Sequence, residues 1–267
     1  MPDPIFCRTR HTYDSYVDFW RLVELSGFPC IYVDQIEPDS ENTYIVTPLN
    51  GEWNAGWQDP RAEIILWDLE WRLDTNNGAD HTGLHVAGVA RIWASDKWYA
   101  EAIGAEYVPL GSHKGLAEGY TENANGTVYD AAVMAYLGPY RRNNVVNRIK
   151  DTGVRIAPNG WGQERHDILR ASRAMLHIHQ HDGIQTIAPQ RWALAAAYGL
   201  PLITETLIDR GIFGNSNLLM CNYELLPQFV RMWTLRNEAR ILEDFGRALH
   251  QLLCVERTFR ANVEAAV

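Results

Sequence analysis

Five short stretches carry residue types that can do chemistry. The first is His177-Ile178-His179-Gln180-His181. On a strand, alternate side chains share a face, so His177 and His179 point the same way. That spacing suits a metal. A catalytic metal needs further ligands, however, and the one histidine downstream is His250, on an amphipathic helical pattern. A cleft-facing His179 with Gln180 as ligand contacts fits better than a metal pair. The second stretch is Gly138-Pro139-Tyr140-Arg141-Arg142. It follows a strand pattern and opens a helix pattern. Free N–H groups at a helix N-terminus attract phosphate, and adjacent arginines strengthen the attraction. Gly138, Arg141 and Arg142 are therefore candidates for a diphosphate, against the plainer reading of a turn with two solvated arginines. The third, Ala157-Pro158-Asn159-Gly160-Trp161-Gly162, is a strand-end loop. Its Trp161 ring can stack on a nucleobase and its Asn159 amide can read a base edge; equally, it is a glycine-bracketed turn with a packing ring. The fourth, from Pro189 to Glu205, opens a small-residue helix with Pro189 and Arg191. The fifth, Trp67-Asp68-Leu69-Glu70-Trp71, places two carboxylates on one side of a continuing strand.

Carboxylates and imidazoles at strand ends are candidates for general-base work. In the first half these are Asp34, Asp68, Glu70 and Asp96, together with His11 after the first strand and His113. Each also has a structural alternative. Asp96, directly before the helical pattern Lys97–Ile103, is a natural N-cap. No GxGxxG follows the first strand, and neither GxxxxGK[ST] nor GxSxG occurs. Ordinary nicotinamide-dependent dehydrogenases, P-loop ATPases and serine hydrolases of the elbow type are thereby disfavoured.

The elements that must position these residues alternate. Strands are expected at Pro4–Arg8, Cys30–Val33, Thr43–Val46, Glu63–Trp67, Val89–Ala94 and Glu106–Leu110. Helices are expected at Tyr13–Leu25 and Lys97–Ile103. Gly111–Gly126 is polar and glycine-rich and reads as a linker. The rhythm then restarts, with strands at Asp130–Tyr136, Val154–Ala157, Ala174–Ile178, Pro201–Thr204 and Asn217–Met220. Helices are expected at Arg142–Thr152, Arg165–Ser172 and Pro189–Tyr198. Two more helices close the chain, the last spanning roughly Glu238–Asn262 with Ile241, Phe245, Leu249 and Leu252 on one stripe. The expected fold class is α/β: two tandem Rossmann-like domains, residues 1–115 and 126–267, with a cleft between them and C-terminal helices. Ligands of such sheets bind beyond the carboxyl ends of the strands.

Charge is divided unevenly over the 267 residues. The formal charge is −9, yet residues 1–125 hold 8 basic and 20 acidic side chains, and residues 126–267 hold 16 basic and 13 acidic. With three lysines in all, the positive charge is almost entirely arginine, whose planar fork matches phosphate oxygens. Either arginine usage here simply follows the composition of the genome, or the second half is the place for an anionic ligand. Four cysteines form no CxxC pair, and the start of the chain has no basic-then-apolar leader. Both point to a reducing, cytoplasmic setting.

Pro189–Glu205 resembles the donor-site segment of GT-B glycosyltransferases: a proline-led loop, a small-residue helix, Gly-x-Pro and a strand. Arg165–Arg173 followed by Leu176–Gln180 is similar to that family's repeating helix-then-strand unit. The likeness is good over Tyr129–Glu205 and looser over Ile64–His113, and it extends to small phage glycosyltransferases. It implies a nucleotide-sugar donor, UDP-sugar first, held by the second half without a metal, and an acceptor on the first half. For a phage-type enzyme the acceptor extends to 5-hydroxymethylcytosine in double-stranded DNA, with the base flipped out, in the host cytoplasm. The chain is short for the family. Many retaining members carry a Glu-x7-Glu pair in the donor loop, whereas here Arg191 opens the helix and no glutamate lies between Glu164 and Glu205. The ribose contact is therefore unassigned. DNA binding also needs a basic platform, which the acidic first half supplies only if its few arginines cluster. A non-catalytic nucleotide-sugar binding protein and an epimerase of the same fold are the alternatives.

Overall fold

The computed structural model describes residues 2–8, 17–47, 60–69, 88–118, 128–135, 137–138, 140–160, 162–179, 187–213, 218–235 and 239–267. The chain divides into two compact units. One comprises Met1–Leu110 with Phe259–Val267, and the other Gly111–Thr258.

The first unit is built on β1 (Ile5–Arg8), α1 (Val17–Leu25), β2 (Cys30–Tyr32), β3 (Thr43–Val46), β4 (Glu63–Asp68), β5 (Arg91–Ala94), α2 (Lys97–Ile103) and β6 (Glu106–Tyr107). Its six strands lie in the order β2-β1-β3-β4-β5-β6, all parallel. β3 and β4 are near-continuous apolar runs, the pattern of strands covered on both faces. Strand order reverses between β1 and β3. Much of the aromatic content goes into this core: Phe6, Phe19, Phe28, Trp67 and Phe259 form one ring cluster, with Trp67 stacked on Phe259 at 5.7 Å.

The second unit contains α3 (Gly115–Glu118), α4 (Tyr140–Lys150), α5 (Gly162–Arg170), β7 (Met175–His177), α6 (Pro189–Ala197), β8 (Leu202–Glu205), β9 (Leu219–Cys221), α7 (Leu226–Leu235) and α8 (Ala239–His250). β7, β8 and β9 are parallel and adjacent in that order. The expected strands Asp130–Tyr136 and Val154–Ala157 are held by single parallel bridges, Ala131 to Ile156 and Ala132 to Met175. They extend the sheet to the order 156, 131, β7, β8, β9, with its reversal between residues 131–132 and β7. The 154–157 segment is bounded by Gly153, at φ +88°, and by Pro158.

Two expectations are corrected. Residues 111–118, read as part of a linker, are packed: the Ser112 hydroxyl donates to the Ala193 carbonyl at 2.7 Å and its N–H to Leu253. The remainder of that stretch, 119–127, lies outside the described residues. The single closing helix is broken. After α8 come a π-helical segment, Gln251–Glu256, and α9 (Phe259–Ala266). Arg257, at φ −121° and ψ 53°, ends the helical path. Leu253 rather than Leu252 is buried along with Leu249, and Ile241 stays 43% exposed while Leu242 is buried. α9 belongs to the first unit, because Phe259 completes the ring cluster and Arg260 pairs with Asp3 at 2.9 Å.

Candidate functional site

The carboxyl ends of the second sheet gather a dense polar cluster. α4 starts just beyond the 131–135 segment, so its first turn faces the reversal of strand order. Arg142, Val145, Val146 and Ile149 share its buried face. That spacing draws Arg142 inward, where its Nε donates to the Ile178 carbonyl at 3.0 Å and the residue is 4% exposed. Arg141, one residue earlier, lies at the rim. Its Nη1 donates to Glu205 Oε1 at 2.7 Å and to the His179 carbonyl at 3.1 Å, and its Nη2 donates to Glu205 Oε2 at 2.5 Å. The guanidinium stacks on Tyr223 at 4.0 Å, and the Tyr223 hydroxyl donates to the Arg141 carbonyl.

β7 supplies the histidines. Leu176 and Ile178 enter the apolar core, so Met175, His177 and His179 face the other side, towards α6. On α6, Arg191 donates from Nη1 to His177 Nδ1 at 3.0 Å. Arginine has only donors, so His177 accepts there. The spacing thus sets His177 against Arg191; among the described residues, which leave out His181, no group of three His, Cys, Asp or Glu is placed to hold a metal ion. The His179 N–H donates to Glu205 Oε1 at 2.8 Å, and its ring Nδ1 stands 3.9 Å from Glu205 Oε2. Its Nε2 is buried without a hydrogen-bond partner, as is Thr204 Oγ1. Such orphaned polar atoms are costly in a core and usual where a ligand completes the set.

Electrostatics follow from burial. Burial pulls Arg191 down to about 9, helped by the charge of Arg142. Arg142 is lowered to about 10 by burial and by Arg141, with Glu205 opposing. Both stay protonated at neutral pH, so two like charges are held close together inside the protein. Burial also depresses His179 to about 4; Glu205 opposes this, and Arg141, Arg142 and Arg191 add to it. The imidazole is therefore neutral. A site of this kind stabilises an anion without reorganising.

The other expected contacts are distributed as follows. Gly138 is exposed just before α4, Asn159 is half-buried in its loop, and Pro189 is the first residue of α6. Trp161 and Gln180 lie outside the described residues, as do Glu70 and His11. Asp68 ends β4, is 1% exposed, and accepts from the Tyr99 hydroxyl at 2.8 Å. Asp96 caps α2, its Oδ1 accepting from the Tyr99 N–H at 2.9 Å. Asp34 lies in a 3-10 turn after β2. His113, expected with the first half, is in the second unit, where its Nδ1 accepts from the Gly115 N–H at 3.0 Å. Glu205 and Tyr223 were given no role in the sequence reading. A charged residue ending a buried strand was the available signal for Glu205. Tyr223 meets Arg141 only through the fold, 82 residues away.

No family model and no curated protein sequence matches the chain. Solved structures do. AviGT4, a glycosyltransferase involved in avilamycin A biosynthesis, aligns over 99% of this chain and 96% of its own, with a TM-score of 0.65 at 11% identity. T4 phage β-glucosyltransferase aligns over 100% and 98%, with a TM-score of 0.55 at 13% identity. The α,α-trehalose-phosphate synthase (UDP-forming) of Burkholderia vietnamiensis covers 97% of this chain and 79% of its own, with a TM-score of 0.57 at 11% identity. At such identities the shared property is the fold, and it is the GT-B fold of glycosyltransferases. The T4 enzyme is also similar in complexes with UDP-glucose and with UDP and Mn2+. The second complex leaves the expectation of a metal-free donor site without support. Among the described residues no helix is long and apolar enough to cross a membrane.

Proposed function

We propose that this protein is a glycosyltransferase that moves a sugar from a UDP-sugar, held by the second unit, to an acceptor hydroxyl. The observation that carries the reading is the convergence of Arg142, Arg191 and the unpartnered His179 Nε2 at the carboxyl ends of a parallel sheet, beside the N-terminus of α4. Breaking the anomeric C–O bond leaves charge on the diphosphate, and the two buried guanidiniums and the helix end oppose that charge. Gly138 lets the backbone come close, Pro189 starts the helix that carries Arg191, and the Asn159–Trp161 loop is assigned to the nucleobase. Gln180, next in sequence to His179, is assigned to the same ligand. Asp68 in the first unit takes the acceptor proton. It is put first for its place at the carboxyl end of β4, with one oxygen held by the Tyr99 hydroxyl; Asp96 caps a helix and His113 closes a turn. Glu70 and His11 are the next candidates.

The acceptor has a narrower form, 5-hydroxymethylcytosine in DNA. Likeness to a phage DNA-modifying enzyme favours it, and the 20 acidic against 8 basic side chains of residues 1–125 oppose it. A panel of UDP- and GDP-sugars, with and without hydroxymethylated DNA and with Mn2+ or a chelator, is followed by mass spectrometry for donor loss and sugar transfer. Transfer establishes the class. Donor loss without acceptor indicates an epimerase or hydrolase, and binding without turnover indicates a carrier. Asp68→Asn is expected to lower kcat by about 10²–10⁴ with donor affinity kept; unchanged turnover removes Asp68 from the role.

A further inference from the structure

Glu205 is the anomaly of the cluster. It is 3% exposed and lies among groups that suit an anion, yet its own charge repels one. Both of its oxygens are spent on the protein: Arg141 takes the pair, and the His179 N–H takes Oε1 as well. Arg141 is committed in turn, through two contacts to Glu205, one to the His179 carbonyl and a stacked face on Tyr223. A guanidinium held in this way by a bidentate carboxylate carries little net charge to a ligand. Among the described residues three arginines surround the site, and with Glu205 these groups sum to two positive charges.

That count distinguishes substrate from product. The diphosphate of a nucleotide-sugar is a diester with two negative charges. The released nucleoside diphosphate ends in a phosphate monoester, whose second ionisation near pH 6 adds about one more. Resting on the glycosyltransferase reading above, we propose that Glu205 is a positioning residue. It neutralises Arg141 and braces the His179 backbone, so that Arg142 and Arg191 match the dianionic donor and hold the more highly charged product less tightly than three free arginines would.

The test is a charge ladder in the full chain. Affinities for UDP and UDP-glucose are measured by calorimetry at two salt concentrations, with folding checked by circular dichroism. Glu205→Gln leaves the cluster at three positive charges, and the preference for UDP over UDP-glucose should rise by about five- to tenfold, with steeper salt dependence. Arg141→Gln leaves one, and the preference should fall by a similar factor. The double variant restores two and should return within about twofold of wild type, as should Glu205→Asp. Glue alone would not be restored by removing both partners. If Glu205→Gln does not fold, the fall in Arg141→Gln against Glu205→Asp decides. A preference flat within twofold across all folded variants overturns the proposal while leaving donor binding intact. A wild-type chain that binds neither probe overturns the glycosyltransferase reading and this one together.

Discussion

Arg141 and Arg142 are neighbours in sequence with different fates. Helical spacing turns Arg142 into the core beside Ile178, while Arg141 is held at the rim by Glu205 and Tyr223. From sequence both are candidates for a diphosphate, because a helix-opening Arg-Arg pair has no internal mark to divide them. The structure ties Arg141 to Glu205 and Tyr223 and buries Arg142 beside the Ile178 carbonyl and Arg191 beside His177. Arg142→Ala should weaken UDP binding about 10- to 100-fold by calorimetry, and an unchanged Kd would refute the assignment. His179 gives a second prediction at this scale. Its folded pKa of about 4 lies below the ordinary value of 6.5. Between those values the unfolded chain binds a proton that the folded chain refuses, so stability rises with pH across this window. Thermal unfolding should therefore show Tm falling as pH drops from 6.5 towards 4. His179→Gln should flatten that limb, by up to about 3 kcal/mol at the acid end. An equally steep limb in the variant would locate the effect elsewhere.

At the scale of elements, much was legible. Thr43–Val46 and Lys97–Ile103 match their expected bounds. The apolar run of β4 and the proline start of α6 each signal their element locally. The 130–136 and 154–157 strands shrink to single bridges, because strand content depends on partners that a window of sequence does not contain. The closing helix breaks because a π turn costs the periodic pattern one residue, which no apolar count reveals. One close approach explains a glycine in α8. A Cβ on Gly246 would stand 2.0 Å from the Gly199 carbonyl oxygen and 3.2 Å from the Pro201 nitrogen. These are backbone atoms of the turn between α6 and β8, and Gly199 itself sits at φ +62°. Gly246→Ala should cost about 2–3 kcal/mol in denaturant unfolding with unchanged m; a neutral result would mean that α8 can lift away freely.

At the scale of the molecule, the chain leaves the first unit at Leu110 and returns to it at Phe259. The C-terminal residues are therefore part of the first core. Phe259 touches Phe6, Phe19, Phe28 and Trp67 and is fully buried. Arg91 also donates to the Ala266 carbonyl at 2.8 Å. Phe259→Ala should lower the stability of the first unit by about 3–5 kcal/mol, read as earlier proteolysis within residues 1–110 than within 111–258. Simultaneous loss in both would show that the units unfold as one.

The sequence by itself determined the α/β rhythm, the charge division and the neighbourhood of the site, because periodicity and helix-start chemistry are local. It reached Arg141, Arg142, His179 and Arg191 through their places at strand and helix ends. The tertiary structure alone decided what each of them touches. Glu205 cancels Arg141 across 64 positions, and Tyr223 stacks on the same guanidinium. His177 accepts from Arg191. The reason is that charge balance and burial are set by neighbours in space, and the parallel sheet, by joining segments distant in sequence, chooses those neighbours.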